Sequence, residues 1–141
     1  MAKGQAKTLY MENKVILLDT SVLIEFFRKS KKENSFLNRL VVSYSTFQIS
    51  VITHFEILRG ITPTQQKFWW ALLKDIEVIS YTPAMNYTAT AIISNLKSKR
   101  KSISVEDLMI AATAVHFNFP LATLNQKHFE HIDELQLIID K

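Results

Sequence analysis

The sequence predicts an α/β protein built on a largely parallel sheet with helices on both sides. Two observations carry that prediction. One is a short, wholly apolar run, Val15 to Leu18; the other is a repeated exchange between strand-type and helix-type spacing along the rest of the chain. A strand apolar at every position is buried on both faces, as strands of parallel sheets are. Strands separated by helices long enough for a crossover pair in parallel, because the crossover returns the chain to its starting edge.

Taken in order, Val15 to Leu18 ends at Asp19-Thr20-Ser21, where Thr20 or Ser21 is expected to cap a helix with inward Val22, Leu23, Phe26 and Phe27. Glu33 to Val42 reads as a second helix burying Phe36, Leu37 and Leu40. From Thr46 the period shortens: Phe47, Ile49 and Val51 alternate with Gln48 and Ser50, a strand with a polar face. Thr53 to Arg59 returns to helical spacing and stops at Gly60, with Val51, Phe55 and Leu58 as its apolar stripe. Pro63 opens a helix through Lys74, in which Phe68 and Leu72 belong to the core and at least one of Trp69 and Trp70 faces outward. Ile76 to Ser80 is a strand, Pro83 to about Lys97 a long helix, and Val105 to Phe117 a helix begun by Ser104. Strands at Leu121 to Leu124 and Leu135 to Ile139 complete the pattern.

Composition narrows the function classes. With 2 Gly and 3 Pro, no flexible linker divides the chain, so one domain over 15–141 is expected behind a polar leader, residues 1–14, in which Met11 is a candidate start. Cysteine is absent, which excludes disulfides, thiolate metal sites and cysteine nucleophiles, and fits a reducing compartment such as the cytoplasm. No apolar run is long enough to span a bilayer. No Gly-rich phosphate loop and no His-Glu-x-x-His pattern occurs, so an NTPase, a dinucleotide enzyme or a zinc hydrolase is not expected. The net charge of +4 favours polyanionic partners mildly. Two basic clusters stand out: Arg28, Lys29, Lys31 and Lys32, then Lys97, Lys99, Arg100 and Lys101. Each is explained by helix ends that welcome cations, and a shared role in binding phosphates requires both to flank one acidic site.

Three carboxylates are candidates for that site. Asp19 stands where an apolar strand gives way to a helix, at the edge where open parallel sheets bind ligands. A capping aspartate is the plain alternative, weakened by the hydroxyls beside it. Glu56 lies a quarter-turn from its helix's apolar stripe, and the plain alternative is a surface pair with Arg59. Asp107 occupies the first turn of its helix, where the dipole alone favours an acid, but Ala111 and Ala114 on the same face let that helix press against the sheet. Glu106 is expected to point elsewhere. Carboxylates gathered in one place repel one another unless a cation joins them, and oxygen donors suit Mg²⁺ or Mn²⁺. Such ions activate water and stabilise phosphoryl displacement.

Four segments taken together resemble the PIN-domain family, in particular VapC-type toxins: Val15 to Ile24, Ile52 to Gly60, Ser104 to Ala114 and Pro120 to Phe129. The resemblance implies a three-layer α/β/α sandwich with a mostly parallel sheet, and an acidic pocket that binds Mg²⁺ or Mn²⁺ and hydrolyses RNA. It implies Asp19, Glu56 and Asp107 as catalytic, metal-holding acids, with Ser21, Thr123 and Asn125 as polar groups that orient them. It also implies an antitoxin partner and a homodimer. Many relatives carry a further acid after the fourth strand, where this chain has Asn125 and then His128. That departure motivates the alternative of a non-catalytic RNA- or protein-binding module.

Overall fold

The computed structural model describes residues 14–141, so the expected leader lies almost wholly outside the described residues. Five parallel strands form one sheet, β1 (Val15–Leu18), β2 (Thr46–Ser50), β3 (Glu77–Ile79), β4 (Leu121–Thr123) and β5 (Leu137–Ile139), in the order β3-β2-β1-β4-β5. The chain builds outward from β1 through β2 to β3, then crosses back to lay β4 on the other side of β1. The order therefore reverses between β1 and β4, and the crevice beyond their carboxyl ends is where such sheets take ligands.

The helices are α1 (Thr20–Arg28), α2 (Phe36–Leu40), α3 (Val51–Gly60), α4 (Gln66–Leu73), α5 (Pro83–Ser98), α6 (Val105–Phe117) and α7 (Gln126–Phe129). Alternation along the strands divides the apolar side chains between two cores. Ile16, Leu18, Ile49 and Ala122 pack with Leu23 of α1, Phe36 of α2 and Trp69 of α4 on one face. Leu17 and Leu121 pack with Ile92 of α5 and Ile110 of α6 on the other. The result is the expected three-layer sandwich, with β1 buried between the helical layers.

Several local expectations are corrected. The helix expected at Glu33 to Val42 is a 3-10 turn, Lys32–Asn34, followed by α2, because Ser35 interrupts the run and caps α2 by accepting from Asn38 N. Val51 starts α3 rather than ending β2, since the Ser50 hydroxyl accepts from Ile52 N and Thr53 N. The apolar stripe expected for α3 is wrong: Phe55 is 60% exposed and Leu58 also faces solvent, while Thr53 and Ile57 are buried. Starting the helix at Val51 lets Ile52 join one core and Ile57 the other, so α3 packs by a different face. Gly60 is the last residue of α3 but has no left-handed backbone. Gln48, which alternates with Phe47 and Ile49 along β2, is buried although polar. Trp69 is buried and Trp70 is 51% exposed, so Trp70 is the outward tryptophan. The strands expected at Ile76 to Ser80, Leu121 to Leu124 and Leu135 to Ile139 are each shorter, and α7 has no counterpart in the spacing of the sequence.

Candidate acidic active site

A cavity of about 490 Å³ opens beyond the carboxyl ends of β1 and β4, and Asp19, Glu56 and Asp107 all line it. The topology explains the convergence. Asp19 follows β1 directly, and Glu56 lies in the helix that follows β2. Asp107 precedes β4, but α6 must run back across the sheet to make a parallel crossover, so its first turn arrives at the strands' carboxyl edge. Ala111 and Ala114 in α6 are fully buried and let the helix approach closely.

Asp19 is 3% exposed and occupies the capping position of α1, yet its side chain makes no cap bond. The expected caps, Thr20 and Ser21, lie inside α1 and serve the carboxylates instead. Asp19 Oδ2 accepts from Ser21 Oγ at 2.7 Å and from Thr123 Oγ1 at 2.8 Å. Those hydroxyls accept in turn from Leu124 N at 3.0 Å and Asn125 N at 2.9 Å. Two backbone donors are thus relayed through two hydroxyls onto one carboxylate oxygen. Among the described residues no cation pairs with Asp19, and nothing donates to Oδ1.

Thr20 Oγ1 lies 2.7 Å from Glu56 Oε1 and 3.1 Å from Thr53 Oγ1. A hydroxyl has one proton, and the shorter, charge-assisted contact to Glu56 is the stronger of its two acceptors. Arg59 stands 3.8 Å from Glu56 Oε2, so the surface pairing is present alongside the inward contact. Asp107 N donates to the capping Ser104 hydroxyl, and its Oδ2 lies 2.9 Å from His128 Nδ1. Glu106, expected to point away, lines the same cavity from an exposed position. With Ser104 and Asp107 also on the wall, the first turn of α6 meets the cavity end-on rather than along one side.

The cavity also contains Asn125. Its amide caps nothing, although it occupies the capping position of α7. Arg59 and His128 are site residues that sequence reasoning misses. The spacing of three from Glu56 is a signal for Arg59, and His128 lies in the segment where many relatives carry a further acid. The positive ends of the α1 and α6 dipoles face the cavity and offset some of the repulsion among its acids.

The donor set fits a hard divalent cation. All three carboxylates supply oxygen, and among the described residues Asp19 Oδ1 has no hydrogen-bond partner. Among the described residues no three His, Cys, Asp or Glu side chains are gathered tightly enough to grip an ion unaided. Each carboxylate is instead steadied by its own hydroxyl or imidazole neighbour. An ion held here would complete its shell with water or substrate oxygens, as Mg²⁺ commonly does.

Several known proteins are similar to this chain. A family model described as PIN domain matches residues 16–135. Ribonuclease VapC1 of Methanocaldococcus jannaschii is 36% identical over 141 residues, covering 99% of this chain and 97% of the relative. Ribonuclease VapC of Rickettsia bellii is 30% identical, covering 87% and 94%. Among solved structures, VapBC2 from Rickettsia felis bound to a promoter DNA fragment matches with a TM-score of 0.75 at 23% identity, covering 90% of this chain and 99% of that one. DNA-bound VapBC from Salmonella typhimurium matches at 0.76 and 22%, covering 89% and 97%.

Proposed function

The chain belongs to the PIN-domain family, and from that membership we propose that it is a VapC-type endoribonuclease, the toxin of a type II toxin–antitoxin pair. PIN-domain VapC ribonucleases generally depend on a divalent metal, and Mg²⁺ or Mn²⁺ suits the oxygen donors here. The observation that carries the reading is Asp19: a carboxylate buried at 3% exposure whose side chain makes no cap bond and pairs with no cation among the described residues. Buried charges are stable when they are paired or coordinate a metal.

Asp19, Glu56 and Asp107 are the residues that would hold the ion. Bound there, it supplies Lewis-acid stabilisation of the charge that grows on a phosphodiester during hydrolysis. The chain's own side chains do the positioning. Ser21 and Thr123 hold Asp19 through Oδ2, and Thr20 holds Glu56 through Oε1. His128 steadies Asp107, and Asn125 offers a neutral amide where many relatives place an acid. Arg59 adds a positive charge at the Glu56 wall.

An enzyme that cuts cellular RNA works in the cytoplasm, where its substrate is, and that compartment belongs to the same reading. Among the described residues no helix is long and apolar enough to cross a membrane. A cognate antitoxin and a homodimer complete the proposal. The antitoxin is supported by the VapBC structures whose fold this chain shares, and exposed Phe55, Leu58 and Trp70 offer apolar contact area for a partner.

The test is cleavage of labelled RNA by the purified protein. Cleavage is expected with Mg²⁺ or Mn²⁺ and is expected to stop on chelation. Asp19→Asn and Asp107→Asn should each lose more activity than the about 10–100-fold typical of outer supporting groups, with folding retained. Undiminished cleavage in chelator, or in both variants, overturns the assignment.

A further inference from the structure

We infer that the acidic cavity is the middle of a longer track, which grips the sugar–phosphate backbone of a ribonucleotide strand through Arg28 and Lys29 on one flank and Arg100, Lys101 and Lys127 on the other. The inference rests on the ribonuclease reading and adds the surface that holds substrate outside the carboxylates.

Two depressions adjoin the acidic cavity through different walls. One, of about 390 Å³, shares Ser21, Ile24 and Asn125 with it and carries Arg28 and Lys29. The other, of about 320 Å³, shares His128 and carries Arg100, Lys101 and Lys127. Both basic clusters of the sequence therefore border the same site, joined by Lys127 from a third segment.

The charges in these depressions are available, whereas Lys32 and Lys99 of the same clusters are engaged. Lys32 donates to the Phe27 and Lys29 carbonyls at the end of α1 and lies over the Phe68 ring. Lys99 is held by Asp133 and the His131 carbonyl. Among the described residues, the side chains of Arg28, Lys29, Arg100, Lys101 and Lys127 have no hydrogen-bond or ion-pair partner. Each depression has one carboxylate, already engaged: Glu25 accepts from Phe36 N, and Glu130 lies 3.6 Å from His131 Nε2.

The backbone adds an independent sign. Arg100 has φ 58, in the left-handed region, where the chain leaves α5 and Lys101 N returns to Leu96 O at 2.9 Å. Glycine or asparagine is the ordinary residue for such a turn, so an arginine here is not chosen for its backbone. It places a long cation at the rim of the second depression.

A polyanionic strand entering a pocket lined by Asp19, Glu56, Glu106 and Asp107 meets repulsion at its reacting phosphate. Cations gripping the neighbouring phosphates offset that repulsion and draw the strand across the site. Unpaired cations on both flanks are what a strand running past the cut in both directions requires. An acidic protein segment could meet the same cations, but it would not need a path through the carboxylates.

The test uses the full chain with labelled single-stranded oligoribonucleotides of random sequence. Binding is measured against salt in chelator, and cleavage with metal. Two variants neutralise one flank each: Arg28→Gln with Lys29→Gln, and Arg100→Gln with Lys101→Gln and Lys127→Gln. Each should bind RNA more weakly, flatten the slope of log affinity against log salt by about 0.7 for each phosphate no longer gripped, and raise KM while keeping kcat. Oligonucleotides trimmed on one side should become insensitive to one flank only. Wild-type affinity, slope and KM in both variants overturn the track, as does an acidic peptide whose binding they weaken while RNA binding stays unchanged. A wild-type protein whose RNA binding depends on both flanks but which cleaves nothing supports the track and overturns the ribonuclease reading alone.

Discussion

Asp19 Oδ2 is occupied by the hydroxyls of Ser21 and Thr123, and each hydroxyl is itself oriented by a backbone N–H from the turn after β4. The carboxylate therefore cannot rotate without breaking charge-assisted bonds, and among the described residues its other oxygen is left without a donor. Ser21→Ala or Thr123→Val should lower kcat/KM for RNA by about 10–100-fold each while the protein stays folded, because the carboxylate remains but loses its orientation. Unchanged kinetics in both would show that Asp19 is held by something else. The places of Asp19 at a strand end and Asp107 at a helix start are legible in the sequence, whereas Glu56 lies in mid-helix and is singled out with them only through the resemblance. Their supports are legible only in part. Ser21 and Thr123 are expected from a resemblance, but Thr20 looks like a helix cap, and only the packing of α1 against α3 turns it toward Glu56. His128 carries no signal of its own, since its contact with Asp107 depends on the turn of α7, which the spacing does not reveal.

At the scale of elements, the sequence predicts best where burial and periodicity agree. The wholly apolar β1 and the Ser104-capped α6 appear where expected. It misleads where a polar residue is buried or an apolar one exposed. Gln48 is the clearest case: it is a polar residue in the alternation of β2, yet it is buried. Its Nε2 donates to Glu77 at 2.9 Å, and among the described residues its buried Oε1 has no partner. An unsatisfied buried acceptor costs about 1–3 kcal/mol, so Gln48→Met, of similar volume, should stabilise the fold by about 1 kcal/mol in denaturant unfolding. A loss of stability would mean that the carbonyl has a partner in solution. In α3 the misplaced stripe has little effect on the site, because Glu56 sits beside either candidate inward face and still reaches the cavity.

Across the whole molecule, the acids come from three segments far apart in sequence, and only the strand order brings them together. Parallel pairing sets all strand ends on one edge, the return of the chain from β3 to β4 opens the crevice there, and the reversed run of α6 delivers Asp107 to it. The fold class and the edge on which the site lies follow from the alternation of strands and helices alone. The interactions that complete the cavity do not, because they join side chains from separate elements. If Asp19, Glu56 and Asp107 act as one ion site, each should be needed for binding by the other two. Calorimetric titration of Mn²⁺ into the wild-type protein and into Asp19→Asn, Glu56→Gln and Asp107→Asn tests this most directly. Saturable binding in the wild type, weakened by more than about 10-fold in every variant, is the expected result. Wild-type affinity in any one folded variant would contradict it.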